Sequence, residues 1–290
     1  DLHLSLRRQR QMCIRDSINA EFEIDGDAYM RERPIAHLTD ALTQLGAKIS
    51  FLDKPGYPPF KIEGGSLSGN NISLPGNISS QYLTALLMSL PLRDVDTSVS
   101  IIGGQVSKPY LDITLGMMKV FDVIASHQDY ERFYIPGNQS YLSPGEYLIE
   151  GDASSASYFF AGAAVAGGKV IVKGLGKYSV QGDTQFLDAI EMMGASVTKH
   201  NDRIEVASTG KLKGVDLDLN HIPDAALTLA AIAIFADSPT TIRNIYNWRV
   251  KETDRMHAMS EGLKRLGARV TTTEDTIKIE PPEKIQSATI

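Results

Sequence analysis

Residues 247–255, Asn-Trp-Arg-Val-Lys-Glu-Thr-Asp-Arg, place five charges and the chain's only tryptophan within nine positions. An apolar, strand-like run (240–245) precedes them, and Met256, Met259, Leu263 and Leu266 follow at helical spacing. The pattern predicts Lys251, Glu252 and Arg255 at or near the first turn of a helix. Residues three or four apart share a helix face, so Arg255 can stand beside both Lys251 and Glu252. Helix N-termini also present free N–H groups and the positive end of a dipole, which favour anions. Two cations beside a carboxylate at such a place suit an anionic ligand with a proton to move. The same spacing also describes a solvated helix start with an ordinary ion-pair cluster. The rest of the chain has to decide.

Composition narrows the choice. A net charge of -6 over 290 residues argues against a dedicated nucleic-acid surface. Cations that hold an anionic ligand must then be concentrated locally, as Arg243, Arg249, Lys251 and Arg255 are. The single cysteine, Cys13, excludes an internal disulfide framework and a cysteine-rich metal site, and it fits a reducing, cytoplasmic setting. No uncharged apolar run reaches the roughly 18 residues of a membrane span. The nearest, 225–236, reads as a buried helix. Residues 1–17 carry four arginines and no apolar core, so they read as a leader foreign to the fold and not as a secretory signal.

Other candidate site elements lie elsewhere. Ser79-Ser80-Gln81 follows Gly76-Asn77 at a predicted helix start, where hydroxyls and free N–H groups could cradle a phosphate or Ser79 could simply cap the helix. Asp224 sits in a predicted first turn, favoured there by the dipole alone, yet on a helix buried enough to hold a general base rigidly. Ser107-Lys108-Pro109-Tyr110 is a further candidate. The six histidines show no HxH or HExxH spacing, and no GxGxxG, GxxxxGK[ST] or GxSxG motif occurs. Neither a metal nor a nucleotide fingerprint is therefore expected.

The elements that position these residues repeat. Leu45-Gly46-Ala47-Lys48-Ile49-Ser50 recurs as Met193-Gly194-Ala195-Ser196-Val197-Thr198 and as Leu266-Gly267-Ala268-Arg269-Val270-Thr271, with a worn copy at Phe121-Asp122-Val123-Ile124. The copies are about 72 to 76 residues apart, and each follows an amphipathic run: 34–44, 112–120, 183–192 and 253–265. Glycine ends the helix and β-branched residues begin a strand. A second helix recurs with the same period, opened by Ser79-Ser80-Gln81, Ser154-Ser155-Ala156 and Pro223-Asp224-Ala225. Strands are expected at 98–102, 169–172, 203–206 and 241–245. One unit thus holds two helices and about four strands, an α/β (α+β) layered fold. Turn residues at 143–146 divide the chain into a first domain, 18–146, and a second, 147–290, with a cleft between them.

At this point the motifs resemble a known family. Residues 247–255 (NWRVKETDR), 222–226 (IPDAA), Ser79 to Gln81 within GNISSQYLTALLM, 107–110 (SKPY) and 151–158 (GDASSASY) are together similar to those of the EPSP synthases, the 3-phosphoshikimate 1-carboxyvinyltransferases. The resemblance runs collinearly from about residue 20 to 282 and implies two similar domains of repeated βαβαββ-like units. It also implies transfer of the enolpyruvyl group of phosphoenolpyruvate to the 5-hydroxyl of 3-phosphoshikimate. By motif, Asp224 is the proton acceptor at the shikimate hydroxyls, and Glu252 protonates and later deprotonates the methylene carbon. Ser79, Ser80 and Ser107 cradle the shikimate phosphate, Gln81 bridges the substrates and Tyr110 lines the pocket. Asn247 and Lys251 hold 3-phosphoshikimate, and Arg255 clamps phosphoenolpyruvate, a planar fork being apt for carboxylate or phosphate. The implied chemistry needs no metal or redox cofactor, no nucleic acid and no membrane, and the expected state is a monomer.

The family's N-terminal Lys-Ser motif, its GNAGTxxR loop and its C-terminal DHR motif are absent. The expectation is therefore a chain incomplete at both termini, with doubtful activity alone. A UDP-N-acetylglucosamine enolpyruvyl transferase and a non-catalytic anion-binding fragment are the alternatives.

Overall fold

The computed structural model describes residues 21–63, 65, 67–77, 79–249 and 253–289. The leader read at 1–17 lies outside the described residues. Two compact units, Asp1–Glu146 and Tyr147–Ile290, divide the chain, and each has its own apolar core.

In the first unit the described elements run β1 (Glu21–Ile24), α1 (Ala28–Arg31), α2 (Ala36–Gln44), β2 (Lys48–Phe51) and β3 (Phe60–Glu63). They continue with β4 (Asn71–Pro75), α3 (Ser80–Ser89), β5 (Thr97–Ile102), α4 (Lys108–Val120), β6 (Ser126–Gln128) and β7 (Arg132–Ile135). The second unit holds α5 (Ala153–Ala166), β8 (Lys169–Lys173), α6 (Phe186–Met192), β9 (Ser196–Lys199) and β10 (Arg203–Ala207). It ends with β11 (Asp216–Asp218), α7 (Pro223–Ile232), β12 (Thr240–Arg243), α8 (Arg255–Arg265), β13 (Arg269–Thr272) and β14 (Ile277–Glu280).

One rule generates the four sheets found among the described residues. A strand is followed by a helix and then a hairpin, and the second hairpin strand pairs antiparallel with the first strand. The orders are β1-β3-β2, β4-β5-β7-β6, β8-β10-β9 and β11-β12-β14-β13. In two sheets a further strand, β4 or β11, joins in parallel. A parallel partner requires a crossover, which α3 and α7 supply. Residues 71–135 and 216–280 are thus complete βαβαββ units, the architecture expected from the repeat.

Local chemistry accounts for the elements. The helix α3 buries Leu83, Leu86 and Leu87 at helical spacing, each worth about 2 kcal/mol of apolar burial. Strand β7 alternates, exposing Arg132 and Tyr134 while burying Phe133 and Ile135 against that helix layer. The second core gathers Phe160, Phe186, Ile190, Leu229 and the fully buried Trp248.

The glycine of each repeat motif has one job. Gly46, Gly194 and Gly267 take φ of 102°, 106° and 97°, and the next residue's N–H reaches back across the helix end, as Ala195 does to Ile190 at 3.0 Å. The worn copy keeps the same bonds, with Val123 N–H to the Met118 carbonyl at 2.9 Å, but it puts Asp122 at φ 62°. Asp122→Gly is therefore expected to stabilise the chain by about 0.5–1 kcal/mol. Gly194→Ala is expected to cost about 1–2 kcal/mol through the backbone alone, since nothing lies within 4 Å of the added Cβ. Urea denaturation of both variants checks the pair, and equal stability of Asp122→Gly and the parent would refute it.

Candidate functional site

Strands β4 and β5 run parallel in register, Asn71 beside Ser98 through Pro75 beside Ile102. They therefore end together, and α3 and α4 both start from that edge. The two loops are tied. Gly76 N–H donates to the Ile102 carbonyl and Val106 N–H to the Gly76 carbonyl, both at 3.0 Å. A Cβ on Gly76 would stand 2.6 Å from the Gly104 carbonyl oxygen, so only glycine fits. Further along the helices, the Thr84 and Thr114 hydroxyls meet at 3.3 Å. Two helix N-termini are thus held side by side at the carboxyl ends of parallel strands, a place where anions bind in α/β folds.

Ser79 caps α3, its hydroxyl accepting the Gln81 N–H at 3.2 Å. Ser80 is buried in the first turn, and Gln81 is exposed beside it. Ser107 precedes α4 in the left-handed region, φ 56°, and its buried hydroxyl does not cap that helix. A serine held there costs roughly 1 kcal/mol, which the surrounding bonds must impose. Gln105 helps, its Nε2 donating to the Val106 carbonyl at 2.7 Å. Tyr110 follows, half-buried, in the first turn of α4. Lys108 opens α4 with its ammonium 5.1 Å from the centre of the Tyr130 ring. Burial, then the 2.7 Å bond from its hydroxyl to Asp112, pushes the Tyr130 phenol up to about 12.

The second unit repeats this build with other side chains. Strands β11 and β12 are parallel, and α7 and α8 start from their shared edge. Asn220 Nδ2 donates to the Asn244 carbonyl at 2.7 Å, and the Asn244 side chain donates to Asp218. Asp224 lies in the first turn of α7 and Arg255 opens α8. Arg255 Nη1 donates to Asp224 Oδ1 at 2.5 Å, the arginine 19% and the aspartate 39% exposed. Asp254 caps α8, its Oδ1 accepting the His257 N–H at 2.9 Å. Asn247 is 5% exposed, and among the described residues neither polar atom of its amide has a hydrogen-bond partner. Leaving such groups unpaired costs about 1–3 kcal/mol, a cost a ligand would relieve.

The start of α5 differs. Asp152 caps it by accepting the Ser154 N–H at 2.9 Å, and the Ser154 hydroxyl donates to the buried Asp183. This copy fills its helix start with the chain's own carboxylates.

Comparison with known proteins decides the family. The pattern of EPSP synthase (3-phosphoshikimate 1-carboxyvinyltransferase) matches residues 8–290. The chain belongs to the EPSP synthase family. It is 54% identical over 272 residues to the 3-phosphoshikimate 1-carboxyvinyltransferase of Yersinia pseudotuberculosis serotype O:3 (strain YPIII), covering 94% of this chain and 63% of that protein. With the enzyme so named from Serratia proteamaculans (strain 568) it shares 55% over 267 residues, 92% of this chain and 62% of that one. The chain thus spans less than two thirds of the length of these curated relatives. In fold it is similar to EPSP synthase from Acinetobacter baumannii, TM-score 0.75, 24% identity, covering 96% of this chain and 63% of that one. The enolpyruvyl transferase NikO from Streptomyces tendae superposes at TM-score 0.68 with 16% identity, over 96% of this chain and 62% of its own.

Within this EPSP synthase family chain, the first unit brings Ser79, Ser80, Gln81, Ser107 and Tyr110 to one pair of helix starts. The second brings Asp224, Asn247 and Arg255 to the equivalent pair. Lys251 and Glu252 lie outside the described residues. The helix begins at Arg255, capped by Asp254, and the face expected to be shared by Lys251, Glu252 and Arg255 falls on residues outside those described. The expected local concentration of cations is redistributed. Arg243 pairs with Asp216 at 3.2 Å on the strand. Arg249 donates to the Thr273 and Glu274 carbonyls at 2.6 and 2.8 Å and to Asp254 at 3.3 Å. Sequence reasoning missed the buried Gln105 amide, for which no local signal exists. Among the described residues, no three His, Cys, Asp or Glu cluster as metal ligands, and no helix is long and apolar enough to cross a membrane.

Asp254→Ala should uncap α8 and cost about 1 kcal/mol. Arg249→Met should cost a similar amount, and the double variant less than the sum, because the two residues share a bond. Urea unfolding of the three variants measures this, and strict additivity would separate the arginine from the cap.

Proposed function

We propose that the protein containing this chain transfers the enolpyruvyl group of phosphoenolpyruvate to the 5-hydroxyl of 3-phosphoshikimate. The observation that carries the reading is the Asp224–Arg255 pair at the starts of α7 and α8, with the buried Asn247 amide, unsatisfied among the described residues, in the turn that precedes α8, in a chain of the EPSP synthase family. A carboxylate, a planar cation and a buried amide with both functions to offer are suited to an anionic polyol.

In the reading, the 5-hydroxyl oxygen adds to the alkene carbon of phosphoenolpyruvate while the methylene gains a proton. Asp224 accepts the hydroxyl proton and Glu252 supplies the proton to carbon. Elimination of phosphate, with Glu252 taking a methyl proton back, restores the vinyl group. Positioned acids and bases of this kind typically contribute about 10²–10⁴-fold. Ser79, Ser80 and Ser107 hold the shikimate phosphate at the helix starts, Gln81 bridges the two substrates and Tyr110 lines the pocket. Asn247 and Lys251 also hold 3-phosphoshikimate. Arg255 meets the phosphoenolpyruvate anion, and Asp224 is the group it leaves or shares when that anion arrives. The reading is of a monomeric, cytoplasmic enzyme, the latter supported by a lone cysteine.

Phosphate release from phosphoenolpyruvate and 3-phosphoshikimate tests the activity, measured on this chain and on the protein that contains it. Asp224→Asn and Glu252→Gln should each lower kcat by about 10²–10⁴-fold. Ser107→Ala should weaken 3-phosphoshikimate binding by about tenfold, as expected for a lost bond to a charged group. Both carboxylate variants retaining parental kcat would overturn the mechanism. Tighter binding of UDP-N-acetylglucosamine than of 3-phosphoshikimate would overturn the substrate.

A further inference from the structure

The contact between Asp224 and Arg255 joins the first turns of two different helices, so it depends on how far α7 is advanced relative to α8. The start of α7 has little of its own to fix that register. Its N-cap is Ile222, which offers no side-chain acceptor, and its first residue, Pro223, has no N–H. The Ile222 backbone bonds to near neighbours, its N–H donating to the Leu219 carbonyl at 3.1 Å and its carbonyl accepting the Ala226 N–H at 2.9 Å. The Pro223 carbonyl is the handle that reaches a distant part of the chain. It is held by the indole N–H of Trp248, which donates to it at 2.8 Å from a ring with no solvent exposure.

We propose that Trp248 is a positioning residue: its N–H bond to the Pro223 carbonyl sets Asp224 in register with Arg255. The inference deepens the catalytic reading of Asp224 and rests on it for its kinetic consequence only. A buried indole N–H needs an acceptor, and the geometry gives it the carbonyl immediately before Asp224. Trp248 is itself anchored. It lies in a turn of 3-10 helix, Tyr246–Arg249, with its backbone N–H donating to the Ile245 carbonyl at 3.0 Å. The next residue, Arg249, grips the Thr273 and Glu274 carbonyls and reaches Asp254, the cap of α8. One short turn therefore holds both helix starts, α7 through the indole and α8 through the arginine and the cap. Loss of the indole donor strands no partner, because a first-turn carbonyl also accepts within the helix ladder. The effect of removing it falls on register.

Trp248 is the chain's only tryptophan, so biosynthetic replacement by benzothienylalanine, which keeps the ring shape and deletes the N–H, alters one site. Trp248→Phe is the second variant, and Phe186→Leu, elsewhere in the same core, is the packing control. In each background the coupling between Asp224→Asn and Arg255→Gln is read as the fold-change in hydrogen-exchange protection of the α7 amides. The expected coupling is about fivefold in the parent and the Phe186→Leu control, and below twofold in both Trp248 variants. Coupling unchanged in the benzothienylalanine protein would overturn the inference, as would its loss in Phe186→Leu. Where turnover is measured, kcat should fall about tenfold with KM for 3-phosphoshikimate unchanged. Lost coupling with intact kcat would support the positioning role and sink Asp224 as a catalytic group.

Discussion

A strand that pairs in parallel with the next strand of its unit forces the chain to cross over, and this constraint decides where everything else goes. Because β4 and β5 end at the same edge, so must the starts of α3 and α4, and the same holds for β11, β12, α7 and α8. Two positive dipole ends are thereby brought together with no contribution from any particular side chain. The side chains then choose what the paired ends hold. Ser79, Ser80 and Ser107 stand at the first pair. In the second pair, Asp224 already meets Arg255.

The charged stretch at 247–255 divides its work between scaffold and chemistry. Arg249 satisfies two carbonyls of the β13–β14 turn and the cap of α8, bonds that tie a loop to a hairpin. Asp254 terminates the loop by capping the helix. Asn247 is the exception, buried with an amide that none of the described residues satisfies. Three adjacent residues thus show three fates for polar atoms: paired to backbone at Arg249, paired to backbone from a ring at Trp248, and unpaired at Asn247. Only the last is unexplained by folding, and that contrast makes it the most informative polar group of the stretch.

Much of this was legible in the sequence. Three Leu/Met-Gly-Ala motifs and one worn copy located helix ends, because a residue at positive φ followed by β-branched residues has few other readings. The helix starts at Ser79, Asp152, Pro223 and Arg255 were legible to within a few residues, and the offset from the run read at 253–265 to the start at Arg255 has a simple cause. Apolar spacing after 255 is helical, but spacing carries no information on where the first turn begins, and Asp254, a capping residue, marks that point better than the charges before it. The partners of Arg249 and Trp248 could not be read, since Thr273, Glu274 and Pro223 lie about 25 residues away and accept through backbone carbonyls common to every residue type. Charge at Arg243 and Arg249 suggested ligand holding; their acceptors, invisible in the sequence, make them structural.

Duplication copies helix ends as faithfully as it copies cores. A protein assembled from one repeated unit therefore inherits an electropositive helix end with every copy. At α5 that end is quenched from within: Gln181 accepts the Ala153 N–H, Asp152 the Ser154 N–H, and Asp183, buried, receives the Ser154 hydroxyl. An arriving phosphate there meets resident negative charge, whereas at the start of α7 the Asp224 carboxylate is already bonded to the Arg255 cation.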